Sequence, residues 1–297
     1  STKFRVPGCN FTLKNSTATK DYVLTVDANG ECGWEAAAGG GSTADARQNT
    51  YFGTESGSQL TGSTGTRYNN TFYGYQAGKF TTGSQNSAFG DIALINNSSG
   101  DNNTALGRGA LYSSTTADNN TAVGRVALFL NTTGVENVAV GAEALYANTT
   151  AGSSVAIGFQ ALKSVTTGDF NAGVGHRVLE SLTTGEFNVA VGRRALASIT
   201  DDNYNTAVGN TALNACTTGG NTVVGANAYP ALTSGQNNIG LGWQSGQSTT
   251  TGSENIYIGK FAGSNGTTGG HNIVIGNATY GGTTGGNNIL IGSTNAA

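Results

Sequence analysis

The sequence has no methionine, 2 prolines, 2 histidines and 3 cysteines in 297 residues, and only 10% of it is charged. Ordinary globular chains carry about 25% charged residues, so this is not the composition of a typical enzyme. A formal net charge of -3 gives no basic footprint for nucleic acid. No apolar run approaches the ~18 residues of a membrane-spanning helix, and no membrane insertion is expected. The opening STKFRVPGCNF lacks the apolar core of a signal peptide, which leads to the expectation of a cytoplasmically made chain; a processed secreted chain would start similarly. Cys9, Cys32 and Cys216 are odd in number and show no C-x-x-C spacing, against a zinc site or a disulfide framework. Cys9 and Cys32 either pair with each other or stay free. His176 and His271 lie too far apart in sequence for metal-ligand spacing. No cofactor or metal is expected.

What is abundant is glycine, 47 residues, and it recurs on a period. Asn-x-x-x-Gly, with one Ser for Asn, starts at Asn49, Asn70, Asn86, Asn103, Asn120, Asn137, Ser154, Asn171, Asn188, Asn205, Asn221, Asn238, Asn255, Asn272 and Asn288. After a first step of 21 residues every step is 16 or 17, the mark of a repeat architecture. After the Gly come two variable residues and then Ala-Leu, as at Ala93-Leu94, Ala127-Leu128 and Ala195-Leu196, and often a Thr-Thr-Gly turn, as at Thr132-Thr133-Gly134. A unit this short, rich in Thr, Val, Ile and Gly, disfavours helix. It is expected to form two short strands with tight corners and to stack into a parallel β-solenoid or β-roll. The fold class is therefore all-β, with about fifteen coils of ~17 residues, making a rod roughly 70 Å long at ~4.8 Å per coil.

Each fixed letter then has an expected building role. The Asn residues (Asn86, Asn103, Asn120, Asn137, Asn171, Asn188, Asn205, Asn221, Asn238, Asn255, Asn272, Asn288) form a ladder that ties coil to coil. The large apolar residue before each Gly reads as the core stripe: Phe89, Leu106, Val123, Val140, Ile157, Val174, Val191, Val208, Val224, Leu241, Ile258, Ile275 and Ile291. The Ala before it is expected to point the other way, against a second chain. Because one coil gives a thin core, a parallel homotrimer with closed symmetry is expected.

The ends differ from the middle. Residues 1–38 contain alternating stretches, FTLKNS and YVLTVDANGECGW, with an Asn29-Gly30 turn, the signature of a hairpin; they read as a small attachment module. Residues 39–48 form a Gly-rich linker, residues 49–237 the shaft, and residues 238–297 an Ile- and Gly-rich distal region. The stretch 53–67 reads as an insertion loop, without the Lys-Ser/Thr ending of a phosphate loop.

The pattern N-T-A-V-G-x-x-A-L-x-x-x-T-T-G resembles repeats of bacteriophage tail fibres, of the kind that precede a self-cleaving intramolecular chaperone domain. It is also similar to the head repeats of trimeric autotransporter adhesins, and SSVAIG at 153–158 comes close to their wording. The likeness covers residues 49–292. Those adhesins use shorter units followed by a coiled-coil stalk and a membrane anchor, whereas this chain has the longer unit and no heptads. VLTVDANGECGW followed by a Gly run is similar to the N-terminal segments of phage fibre proteins. The resemblance implies a virion fibre, on tail or head, that trimerises, joins other virion proteins through its N-terminal module and meets a host surface glycan or protein. A chaperone beyond Ala297 would have been removed.

Chemistry is sparse beside this. Sugar cleavage needs paired carboxylates, yet Asp101, Asp118, Glu136, Asp169, Glu186, Asp201 and Asp202 occupy scattered corner places that solvated turns explain. Asp201-Asp202-Asn203 lacks the spacing of a calcium loop, and no nucleophile elbow accompanies the serines. Arg108, Arg125, Arg193 and Arg194 read as a solubilising face or a weak basic strip. Trp243, Tyr257 and Tyr280, with Phe261, are candidate receptor contacts, ring stacking on sugars competing with core packing. The expectation is a non-enzymatic virion fibre for host attachment. Alternatives are a receptor-free filament or capsid-decorating fibre and an extracellular bacterial surface adhesin. An ice-binding solenoid ranks below these because the place after the Asn drifts from Thr to Val to Ile, and an enzyme comes last.

Overall fold

The computed structural model describes residues 48–60, 68–277 and 284–292, together with the backbone of five short strands before them. Those are β1 (Arg5–Val6), β2 (Cys9–Asn10), β3 (Tyr22–Val26), β4 (Cys32–Ala36) and β5 (Thr43–Ala44). β3 and β4 pair antiparallel with Val26 opposite Cys32. The Asn29-Gly30 turn, FTLKNS, the stretch 37–42, residues 61–67 of the insertion loop and the side chains of Cys9 and Cys32 lie outside the described residues.

From β6 (Thr50–Phe52) to β20 (Ile289–Ile291) the chain is a parallel β-solenoid of about 13 turns and roughly 17 residues per coil. Each strand pairs with the same three places of the next coil, as Thr121, Ala122 and Val123 do with Val138, Ala139 and Val140. The one antiparallel partner in this sheet is β5, which covers the N-terminal edge strand β6 and so blunts an edge that would otherwise template pairing.

Each described coil contains one strand, not two. The second side is a turn in which left-handed residues alternate with ordinary ones: Val126 has φ 51° and Leu128 φ 50°. For a β-branched or bulky side chain this conformation is unfavourable by about 1–2 kcal/mol. It persists because the backbone still hydrogen-bonds between coils there, Val126 N–H to the Arg108 carbonyl at 2.9 Å and Leu128 N–H to Ala144 at 3.0 Å. The turn opens at the repeat Gly: Gly124 has φ +137°, and a Cβ on it would stand 2.5 Å from the Gly141 carbonyl oxygen. Only glycine fits both demands.

The interior belongs to different residues than the spacing alone suggests. Asn120 and Ala122 are fully buried, while the pre-Gly places are half-exposed, Leu106 at 48% and Val191 at 39%. This corrects the stripe from Phe89 to Ile291: it lines the outside of the chain, and the Ala row lines the inside. Period-two alternation is the cause. Once the Asn side chain turns inward, the residue two places on must follow it, and the residue before the Gly must point out. Across the narrow interior the Ala row meets the Leu row, Leu94, Leu111, Leu128, Leu145, Leu162, Leu179, Leu196 and Leu213, all fully buried. Volume is traded between the two, within a coil or with its neighbour, where Gly240 and Gly246 leave room for Tyr229. Where Ala is replaced by Phe72 or Tyr257, the Leu place becomes Gly78 or Gly263, whose added Cβ would fall 2.4 Å from the ring.

Candidate interaction face

The Asn ladder is continuous and buried. Asn120 Oδ1 accepts the Asn137 N–H at 3.0 Å, and Asn120 Nδ2 donates to the Gly134 carbonyl at 2.9 Å. The same first bond repeats from Asn49–Asn70 at 2.9 Å to Asn272–Asn288 at 3.1 Å. Buried amides that use both ends avoid the cost of an unpaired polar group. Ser154 is the exception in the row: its Oγ still accepts the Asn171 N–H of the next coil at 3.2 Å, but it donates to the Gly152 carbonyl at 3.3 Å and has no amide N–H for a carbonyl of the next coil.

Two further columns were not read from the sequence. The first of the paired Thr residues donates its hydroxyl to the next coil, Thr115 to Thr132 at 3.0 Å, Thr132 to Thr149 at 2.9 Å, Thr149 to Thr166 at 3.0 Å. What looks like loop punctuation is a third hydrogen-bonded row. One place earlier runs a buried column that changes chemistry along the rod, with Asn97, Ser114, Asn131 and Asn148 first, then Val165, Leu182, Ile199, Cys216 and Leu232. Asn148 Nδ2 donates to Asn131 Oδ1 at 3.0 Å and to the Ala151 carbonyl at 3.0 Å. The Cys216 thiol is fully buried and its pKa is raised by that burial, which makes it a poor nucleophile.

The outward side of the strands is a uniform surface that recurs in every described coil. Its two columns run Thr50, Thr71, Ser87, Thr104, Thr121, Val138, Val155, Ala172, Val189, Thr206, Thr222, Ile239, Ile256, Ile273, Ile289 and, beside them, the row from Phe52 to Ile291. None of the chain's 14 Lys and Arg or 17 Asp and Glu stands in either column. At its N-terminal end Phe52, Tyr73 and Phe89 stack with centroids 4.9 and 6.0 Å apart. Fifteen strands at ~4.8 Å and two residues at ~3.4 Å give on the order of 500 Å² of projected sheet. That lies at the upper end of what monomers expose, and two such faces reach the ~1,000 Å² of a specific interface.

The remaining expected site residues scatter. Trp243 is exposed, tilted against Phe261 at 4.8 Å, with Lys260 Nζ 4.9 Å from its ring centre. Tyr257 is not a surface contact: it is fully buried and stacks on Tyr229 at 5.6 Å, because Gly263 leaves it room. Tyr280 lies outside the described residues. Arg108 and Arg125 pair with Asp91 at 3.2 Å and Glu143 at 2.6 Å, which breaks up a basic strip. Asn203 Oδ1 accepts the Glu186 N–H at 2.6 Å, and among the described residues no three His, Cys, Asp or Glu are grouped to hold a metal. Among them, too, no helix is long and apolar enough to cross a membrane.

Comparison with protein-family models, curated proteins and solved structures finds no match.

Proposed function

We propose that this chain is the shaft of a structural virion fibre, a phage tail fibre or similar appendage, in which three parallel copies form a rigid rod for host attachment. The observation that carries the reading is the charge-free outward strand face, which runs the whole length of the solenoid and repeats with every coil. A partner that covers such a face throughout needs the same axial repeat, and another copy of this chain supplies it. Closed symmetry then hides the face and leaves a soluble rod. The Asn, Thr and backbone ladders supply stiffness along the axis, and the fixed letters carry no chemistry, in keeping with a non-enzymatic role. Residues 1–38, set apart from the repeat by the Gly-rich stretch, are the part we assign to the other virion proteins, and host contact gains strength from the multiplicity of chains.

Native mass spectrometry tests the assembly. The expected species is three chains of 29.9 kDa each; a monomer at micromolar concentration contradicts it. Binding of the assembled rod to host cells separates the attachment fibre from a receptor-free filament, which predicts end-to-end association and no cell binding.

A further inference from the structure

The strand face has two long edges, and they differ in charge. The residues leading into the strand include Asp101, Asp118, Asp169, Glu186 and Glu254; those following the Gly include Arg108, Arg125, Arg177, Arg193 with Arg194, and Lys260, together with the acids Glu55, Asp91 and Glu143, which pair with Lys79, Arg108 and Arg125. In these five cases the acid and the base flank the same strand, those at Thr104, Thr121, Ala172, Val189 and Ile256. The strands at Thr71, Val155, Thr222 and Ile239 have neither. Those at Val138 and Thr206 carry Glu136 and Asp202 on the leading edge with no base opposite, Glu143 following the first and Asn210 the second.

One level is more elaborate than the rest. On the leading edge, Phe170, Phe187 and Tyr204 form an exposed stack with centroids 5.0 and 5.3 Å apart, beside Asp169, Glu186 and Asp202. On the following edge of the same coils stand His176, Arg177, Arg193 and Arg194. His176 stacks on Phe159 at 5.4 Å and Arg177 pairs with Glu180. Arg193 and Arg194 are exposed and make no ion pair among the described residues. Rings beside carboxylates on one edge and unpaired guanidinium groups on the other are complementary chemistries.

We propose that neighbouring copies of this chain pack in parallel and at the same axial level, with the aromatic and acidic edge at 169–204 of one copy against the Arg177, Arg193 and Arg194 edge of the next. A rotation axis along the rod brings every leading edge to a following edge, acid to base at the five strands flanked by both. An axis lying along the strands, which packs two faces antiparallel, sets acid on acid and base on base. Like-charge juxtaposition selects against that arrangement. The proposal rests on the parallel-assembly reading above and names the side chains that fix its direction and register.

The test reverses charge on surface side chains and reads native mass and dilution-induced dissociation of the full chain. Arg193→Glu with Arg194→Glu is expected to weaken association at least tenfold at low salt, with the circular dichroism spectrum unchanged. Adding Glu186→Arg and Asp202→Arg in the same chain restores complementarity and is expected to recover most of the loss. Assembly of the wild type with no effect of the first reversal overturns the edge pairing and leaves the fibre reading standing. Loss without recovery also overturns the pairing. A monomeric wild type overturns both.

Discussion

The two sides of one strand obey different rules. The inward side fixes volume: Ala faces Leu in coil after coil, and where Phe72 or Tyr257 enters, Gly78 or Gly263 yields the space. The outward side excludes charge but fixes neither polarity nor size, running from Thr through Val to Ile in one column and from Phe and Tyr through Val to Ile in the other. The difference teaches that the inward side is a closed packing problem solved within the chain. The outward side is open, and only the exclusion of charge is enforced there.

Substitutions can break that contrast, and the largest effects lie inside. Leu128→Ala removes a fully buried side chain and is expected to destabilise the solenoid by about 2–5 kcal/mol, read by chemical denaturation. Asn188→Ala orphans the Asn205 N–H, now bonded at 3.1 Å, and the Asp202 carbonyl, now bonded at 3.0 Å. A cost of about 1–3 kcal/mol is expected for an unsatisfied buried group, seen as faster amide exchange at Asn205. Ser154→Asn sharpens the account by completing the ladder; a gain of about 1 kcal/mol is expected, and a loss would show that Ser154 is required there. Outside, Val140→Thr keeps shape and stays uncharged, so the single-chain fold should change by no more than ~0.5 kcal/mol.

The smallest effect is electrostatic and belongs to a corner. Hydrogen bonds from Lys163 and Gln160, and then Arg125, hold the Glu143 carboxyl down to about 2 from its ordinary 4.5. A depressed folded-state value means the contribution is present above the ordinary pKa and is lost as pH falls from 4.5 towards 2. Because these are surface ion pairs, the contribution is small. Glu143→Gln should flatten the stability difference measured between pH 6 and pH 3, and an unchanged profile would dismiss the cluster.

The repeat, its parallel stacking and the place of the Asn were legible because they depend only on spacing. The direction of the strand faces was legible too, but through a signal easy to pass over. Gly78 accompanies Phe72 and Gly263 accompanies Tyr257 six places on, a compensation that only facing residues need. The missing second strand was not legible, since Val126 and Leu128 are poor candidates for positive φ and neighbouring coils alone hold them there. The buried column from Asn97 to Leu232 hid because it switches from polar to apolar partway, so no single residue type marks it. Tyr257 and Trp243 differ in repeat place: Tyr257 takes the inward Ala place, with room left by Gly263, whereas Trp243 follows the repeat Gly242 on the exposed corner.

The central claim is that the outward strand face is where copies of the chain meet. Cysteine cross-linking tests it most directly, in a background with Cys9→Ser and Cys32→Ser, the buried Cys216 left in place. Val140→Cys places a thiol on the face, and Thr150→Cys places one at the exposed Thr-Thr turn. The account predicts covalent dimers from Val140→Cys under mild oxidation and none from Thr150→Cys at the same dilution. Cross-links from Thr150→Cys, with Val140→Cys remaining uncoupled, would contradict it.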